Sequence, residues 1–320
     1  MRLAIINDYQ RLAVETADWG RLTDKITLEV FDDQLTDPKE AARRLLPYDI
    51  IVTAREETKF DRSLVEQLPN LKLLVFHGER NAALDLEALT ERGVLVCGTG
   101  YGYSNGTVEL AWGLILGLVK NITAEDRSIR DGDWGAGLPF GLTGKTLGIL
   151  GLGTLGAGVA KLGLALDMEV IAWSQNLTKT RCEELGTTLV TKEALLRRSD
   201  VLSIHVILSQ RTRGLVGAKD LAMMKSSCYL INTSRGPIVD EPALVEVLKK
   251  KGIGGAGLDV FDQEPLPINH PLRKLPNVLL TSHIGGRTYE NLAARYQDCL
   301  EDVLAWLDDK PLRVVSHQSD

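Results

Sequence analysis

The chain has 320 residues, with 37 Lys and Arg against 43 Asp and Glu and a formal net charge of −6 at pH 7. That length is soft evidence for two domains, and a mildly acidic mix with no long basic block does not point to nucleic-acid binding. Cys97, Cys182, Cys228 and Cys299 lie far apart with no CxxC, so neither a metal site nor a disulfide framework is expected, and the reduced cytoplasm is the default compartment.

The opening "MRLAIINDYQ" reads as a strand and turn, without the basic, apolar and small-residue layout of a signal peptide. "LAIIN", "ITLEVF", "DIIVTA", "LKLLVFHG" and "VLVCGT" follow as short apolar strands. Helix-like stretches such as "DPKEAARRLL" and "DRSLVEQL" lie between them, opening on an Asp cap or an early Pro. The segment 104–131 separates this series from the next. Its apolar run "VELAWGLILGLV" carries Glu109 and is too short to span a bilayer, so it reads as a buried helix and no membrane partner is expected. A second series follows: "TLGILGL", "EVIAWS", "TTLV", "VLSIHV", "CYLINTS", "GGAGLDV" and "NVLLTSHI". Strands alternating with helices imply an α/β protein with parallel sheets covered on both faces. A last helix from Thr288 to Trp306 is long enough to return to the first domain, which would make that domain discontinuous in sequence.

"TLGILGLGTLGAGVAKLG" holds Gly151-x-Gly153-x-x-Gly156 between a strand and a helix. Glycines there permit a tight turn, close backbone approach to a pyrophosphate and tight helix–strand packing, with the anion at the helix N-terminus. A dinucleotide-binding Rossmann domain is the expectation. The next strand ends "AWSQN", so Ser174 stands where an acid would hold the adenosine ribose, and Lys179 and Arg181 follow. The cofactor is therefore expected to be NADP or NAD, with NADP favoured.

Three further segments, "INTSRGPIVDEPAL", "LDVFDQEPLP" and "TSHIGG", each place a polar residue just beyond a strand. In open α/β sheets ligands bind beyond the carboxyl ends of strands, so Arg235, Glu264 and His283 can share one cleft. Singly, each has a plain alternative: a turn arginine, a solvated loop carboxylate and a strand-end histidine.

With these four motifs in order, the chain resembles the D-isomer-specific 2-hydroxyacid dehydrogenase family along essentially its whole length. The resemblance implies two doubly wound parallel-sheet domains, a Rossmann cofactor domain near 100–285 inserted in a flavodoxin-like substrate domain of 1–99 plus 286–320. It implies hydride transfer between NAD(P)H and a small 2-oxo acid, with Arg235, Glu264 and His283 as the catalytic set. It places Thr154 and Leu155 on the diphosphate loop, Val206, Thr233 and Ser234 along the cofactor, and Asp259 on the nicotinamide carboxamide. A homodimer through the long first helix of the cofactor domain and the loop after it is also implied. The same fold serves transcriptional co-repressors that sense nucleotides, which is the alternative reading.

In the first domain, "LKLLVFHGERNAALD" matches the family's substrate loop, which makes Gly78 and Glu79 substrate-binding candidates, and Arg55 follows another strand end. Tyr101, Tyr103 and Trp134 are candidates for the cleft or the dimer contact, with packing the plainer role. Gly286 and Arg287 stand where the family carries a short or apolar pair. Arg287 is expected to face solvent at the start of the last helix, or else a second anionic group on the substrate.

Overall fold

The computed structural model describes residues 1–22, 26–53, 58–78, 81, 83–100 and 105–315. The chain forms two compact units, Met1–Tyr103 with Thr288–Asp320, and Ser104–Arg287.

In the first unit the order is β1 (Arg2–Ile6), α1 (Leu12–Thr16), β2 (Thr27–Val30), α2 (Pro38–Leu45), β3 (Ile50–Thr53), α3 (Arg62–Glu66), β4 (Leu73–Phe76), α4 (Leu86–Glu91) and β5 (Leu95–Gly98). The strands form one parallel sheet in the order β2-β1-β3-β4-β5. Their runs IIVT and LLVF are buried at every position, the pattern of strands covered on both faces. Alternate residues feed opposite cores: Leu3, Ile5, Ile50 and Val52 on one face, Ala4, Ile6, Ile51 and Leu74 on the other. Asp37, Asp61 and Asp85 cap α2, α3 and α4 by accepting from Glu40, Leu64 and Ala88 amides.

The second unit runs α5 (Asn105–Val119), α6 (Ile122–Arg130), β6 (Thr146–Leu150), α7 (Thr154–Ala165), β7 (Glu169–Trp173), α8 (Lys179–Glu184), β8 (Thr188–Leu189), α9 (Lys192–Arg198), β9 (Val201–Ile204), α10 (Ala218–Leu221), β10 (Tyr229–Asn232), α11 (Glu241–Lys249), β11 (Gly255–Leu258) and β12 (Val278–Leu280). Its seven described strands are parallel in the order β12-β11-β10-β9-β6-β7-β8. Each strand expected from the sequence is present. The expected apolar helix is α5, which buries Val108, Ala111, Trp112, Leu114, Ile115 and Val119. No single helix among the described residues is long and apolar enough to cross a membrane.

The order of connection reverses at β6: the chain moves outward through β7 and β8, then returns to β9 on the other side. This topological switch opens a crevice at the carboxyl ends of β6 and β9. Finally, α12 (Tyr289–Leu307), capped by Thr288, belongs to the first unit and packs on α1 and β4.

Candidate active site

The loop after β6 enters the switch-point crevice. Gly151 has φ of +102°, and a Cβ there would lie 2.8 Å from Val206 Cγ1 and 2.9 Å from the His205 carbonyl carbon. A Cβ on Gly156 would lie 2.0 Å from Gly151 O, so α7 meets the loop backbone to backbone. Gly153 differs, because a Cβ there would meet nothing within 4 Å. It is the N-cap of α7 and supplies no side-chain hydrogen bond, unlike the acid-capped helices of the first unit. No cap side chain stands before the first amides of α7, at Thr154 and Leu155, and the helix dipole lies behind them. The local sequence shapes a bare anion cradle.

On the next strands, Ser234 Oγ donates to Val206 O at 2.6 Å, tying the loop after β10 to the one after β9. Asn232 accepts from Ser234 N at 3.0 Å and donates to Arg235 O at 2.9 Å, which fixes the turn between them. Thr233 Oγ1 is buried with no hydrogen-bond partner. An orphaned hydroxyl beside an open cradle fits a site built for a polar ligand. Arg235 lies half-buried, with Nη1 donating to Ser234 O at 2.8 Å.

Beyond β11 and β12 stands the closest pair of the site. His283 Nδ1 and Glu264 Oε2 are 2.6 Å apart, with 35% and 28% of their side chains exposed. The other carboxylate oxygen of Glu264 accepts from Phe261 N at 2.9 Å. Burial opposes the charge on both groups. At Glu264, the His283 hydrogen bond and charge, the Phe261 amide and Arg235 outweigh it, and the pKa is lowered. At His283, the Glu264 hydrogen bond and charge outweigh burial and the repulsion of Arg235, and the pKa is raised.

His283 has φ of +54°, a left-handed conformation that costs a non-glycine residue roughly 1–2 kcal/mol. Asp259, 1% exposed, holds that turn in place. Its carboxylate accepts from Thr281 Oγ1 at 2.5 Å, Ile284 N at 2.8 Å and Gly285 N at 2.9 Å. A carboxylate has about four lone-pair sites, so one acceptor position is left.

An anion cradle, a guanidinium and a carboxylate-backed imidazole thus sit on one sheet's carboxyl edge. Residues 112–285 match the family model described as D-isomer specific 2-hydroxyacid dehydrogenase, NAD binding domain. Over 268 residues the chain is 38% identical to glyoxylate reductase of Thermococcus litoralis, covering 79% of this chain and 80% of that one. The chain belongs to the D-isomer specific 2-hydroxyacid dehydrogenase family. This dehydrogenase is also 36% identical over 277 residues to D-3-phosphoglycerate dehydrogenase of Archaeoglobus fulgidus, covering 86% of this chain and 52% of that relative's length. Its fold superposes on phosphoglycerate oxidoreductase of Vibrio cholerae with a TM-score of 0.91, 32% identity, and coverage of 97% and 99% of the two chains. It is an NAD(P)-binding oxidoreductase of 2-hydroxy and 2-oxo acids.

Other sequence candidates of the dehydrogenase fall differently. Arg55, Glu79, Tyr101 and Tyr103 lie outside the described residues. Gly78 has φ of +101°, and its N–H donates to Thr99 Oγ1 at 2.8 Å. Arg287 Nη1 donates to Ser282 O at 3.1 Å, across the His283 turn. Ser174 follows β7 directly and is half-buried, whereas Lys179 and Arg181 are exposed and paired with Glu183 and Glu184 on α8. Sequence reasoning passed over Asn232 and Glu241. Asn232 lay in the quoted "INTSRG", where a polar residue closing a buried strand signals a turn role.

Proposed function

We propose that this dehydrogenase reduces small 2-oxo acids such as glyoxylate and hydroxypyruvate, with His283 as the proton donor. The single observation that carries the reading is the 2.6 Å contact of His283 Nδ1 with Glu264 beside the glycine cradle. When bound, the nicotinamide supplies the hydride. Arg235 binds the substrate carboxylate and carbonyl through its directed donors. With Nδ1 held by Glu264, His283 gives its proton from Nε2 to the carbonyl oxygen, and the raised pKa favours the protonated ring. Asp259 offers its remaining acceptor position to the carboxamide. Gly151, Gly153, Thr154, Leu155 and Gly156 hold the diphosphate, and Val206, Thr233 and Ser234 line the cofactor.

In this reading 104–287 is the cofactor domain and 1–103 with 288–320 the substrate domain. Ser174 just after β7, with no carboxylate there to repel a 2′-phosphate, favours NADPH over NADH. Homodimerisation is supported by the apolar surface after α5, where Trp134 is 92% and Leu138 97% exposed and α6 has no buried residue. Light scattering of the purified chain checks it. Four free, buried cysteines accord with a cytoplasmic setting.

Steady-state oxidation of NADPH and NADH over a panel of 2-oxo acids, with wild type beside His283→Asn, tests the reading. Turnover of glyoxylate or hydroxypyruvate that falls about 10²–10⁴-fold in the variant, with nucleotide binding kept, is expected. A variant with near-wild-type turnover removes His283 from the role, and a preference for NADH reverses the cofactor assignment.

A further inference from the structure

A second carboxylate–imidazole contact lies behind the first. Glu241, the first residue of α11, has Oε1 3.1 Å from His270 Nε2, and Oε2 accepts from Asp262 N at 3.2 Å. Only 13% of the Glu241 side chain and 18% of the His270 side chain are exposed. The ring is oriented by its other nitrogen, since Leu272 N donates to His270 Nδ1 at 3.4 Å. Nε2 therefore carries the hydrogen and donates to Glu241.

The two partners of Glu241 sit on either side of Glu264, two residues before it and six after it. The same short stretch of chain also touches this loop through backbone. A Cβ on Gly236 would lie 2.0 Å from the Phe261 carbonyl carbon and 2.5 Å from Asp262 N. Phe261 N in turn donates to Glu264 Oε1. The segment 235–241, which starts with Arg235, and the loop 261–270, which carries Glu264, are thus clamped at Gly236 and again at Glu241. Arg273 fastens the far end, donating to Leu266 O at 2.7 Å and Pro267 O at 2.9 Å.

We infer that Glu241 is a positioning residue: its carboxylate bridges Asp262 N and His270 Nε2, and so holds Glu264 against His283 and in register with Arg235. The groups that face Glu241 are His270 and Asp262, with Asp240 and Arg213 around Asp262. Those that face His283 are Glu264, Arg235 and Asp259. Glutamine at 241 has one acceptor and one donor end, while both partners present N–H. One contact must turn donor against donor, and the loop relaxes away from α11. An ångström of misplacement is enough to lower a rate by up to about 10²-fold.

The inference deepens the proton-donor reading, and the experiment separates the two. The His283 imidazole is titrated by NMR in wild type and Glu241→Gln, with the resonance assigned by its loss in His283→Asn. The expected result is a His283 pKa that falls in Glu241→Gln toward the ordinary imidazole value, with kcat down about tenfold and NADPH affinity within about twofold. The alkaline limb of the kcat profile moves to lower pH with it. His270→Ala, which keeps the Asp262 contact, gives a smaller shift in the same direction and decides the matter if Glu241→Gln does not fold. A lowered Tm with the His283 pKa unmoved in these variants makes Glu241 merely structural and overturns the inference. Turnover surviving in His283→Asn would sink the proton-donor reading alone, because the NMR titration reads the dyad independently of turnover.

Discussion

His283 is held by two carboxylates with separate jobs. Asp259 fixes the strained turn through three hydrogen bonds, and Glu264 fixes the ring. The pH dependence follows from the signs of the two shifts. The raised His283 pKa gives stability that is full below 6.5 and fades as pH rises through the folded value. The lowered Glu264 pKa gives stability that is full above 4.5 and is lost as pH falls through its folded value. The pair therefore stabilises the fold most between 4.5 and 6.5, and in the proposed role of His283 the proton for reduction is kept to a pH above 6.5. In Glu264→Gln burial and Arg235 are left largely unopposed, so the alkaline limb of kcat should move down past 6.5 and kcat should fall about tenfold or more. A limb that stays in place would mean another group controls it. At Arg287 the guanidinium uses one donor on Ser282 O and has others to offer. If these meet a second anionic group on the substrate, Arg287→Ala should lower kcat/KM for a dianionic 2-oxo acid about ten- to a hundredfold and leave glyoxylate nearly unchanged. Equal effects on both substrates would reduce Arg287 to closing the His283 turn.

At the scale of elements, the C-terminal tail shows how much a few residues beyond a helix can matter. Val315 N donates to Val96 O at 2.8 Å, Gly98 N to Arg313 O at 3.1 Å, and Cys97 bridges Val314 in antiparallel sense. The tail thus covers the outer edge of β5, which would otherwise present unpaired backbone groups. Arg313 fastens the tail to α12, donating from Nε to Asp302 Oδ1 at 3.0 Å and from Nη2 to Asp298 O at 2.8 Å. Asp302 is fully buried, and its Oδ2 has no partner. Burial first, against the pull of Arg313, raises its pKa to about 7. A raised carboxyl pKa works against the fold as pH climbs from 3.8 through 7, so the ionised form leans on Arg313. Arg313→Ala should destabilise the first unit by about 3 kcal/mol at pH 8, and adding Asp302→Asn should recover most of that loss. Urea unfolding of the double-mutant cycle measures it, and additive losses would rule out the buried charge as the cause. The elements themselves were legible in the sequence because period and caps are local properties: the Asp before each of α2, α3 and α4 is a cap, and the short buried apolar runs are strands while the long one is α5. The Arg–Glu–His set was legible through its motifs. The Arg313 clamp and the Glu241 bridge were not, since each joins residues whose proximity only the folded chain creates, whereas the Asn232 turn is local and its signal is the polar residue that closes β10.

At the scale of the whole molecule, the two units differ in how the chain builds them. The second is continuous from Ser104 to Arg287, with its sheet and both core faces supplied from within. The first is interrupted, and its core on the Leu3 and Ile5 face is completed only by α12. That helix contributes Tyr296, Cys299, Leu300 and Val303, each 1% exposed or less. Burying one such apolar side chain is worth roughly 1.5–3 kcal/mol. Four together are of the order of the whole stability of a domain, about 5–15 kcal/mol. A chain ending at Arg287 should therefore lose the first unit while keeping the second. Hydrogen exchange is the direct measure: amides of β1, β3 and β4 should lose protection, those of β6, β9 and β10 should keep it, and NAD(P)H should still bind without turnover. Slow exchange persisting in β1 and β3 after the truncation would show that the first five strands and four helices form a self-sufficient core, and that α12 only covers it.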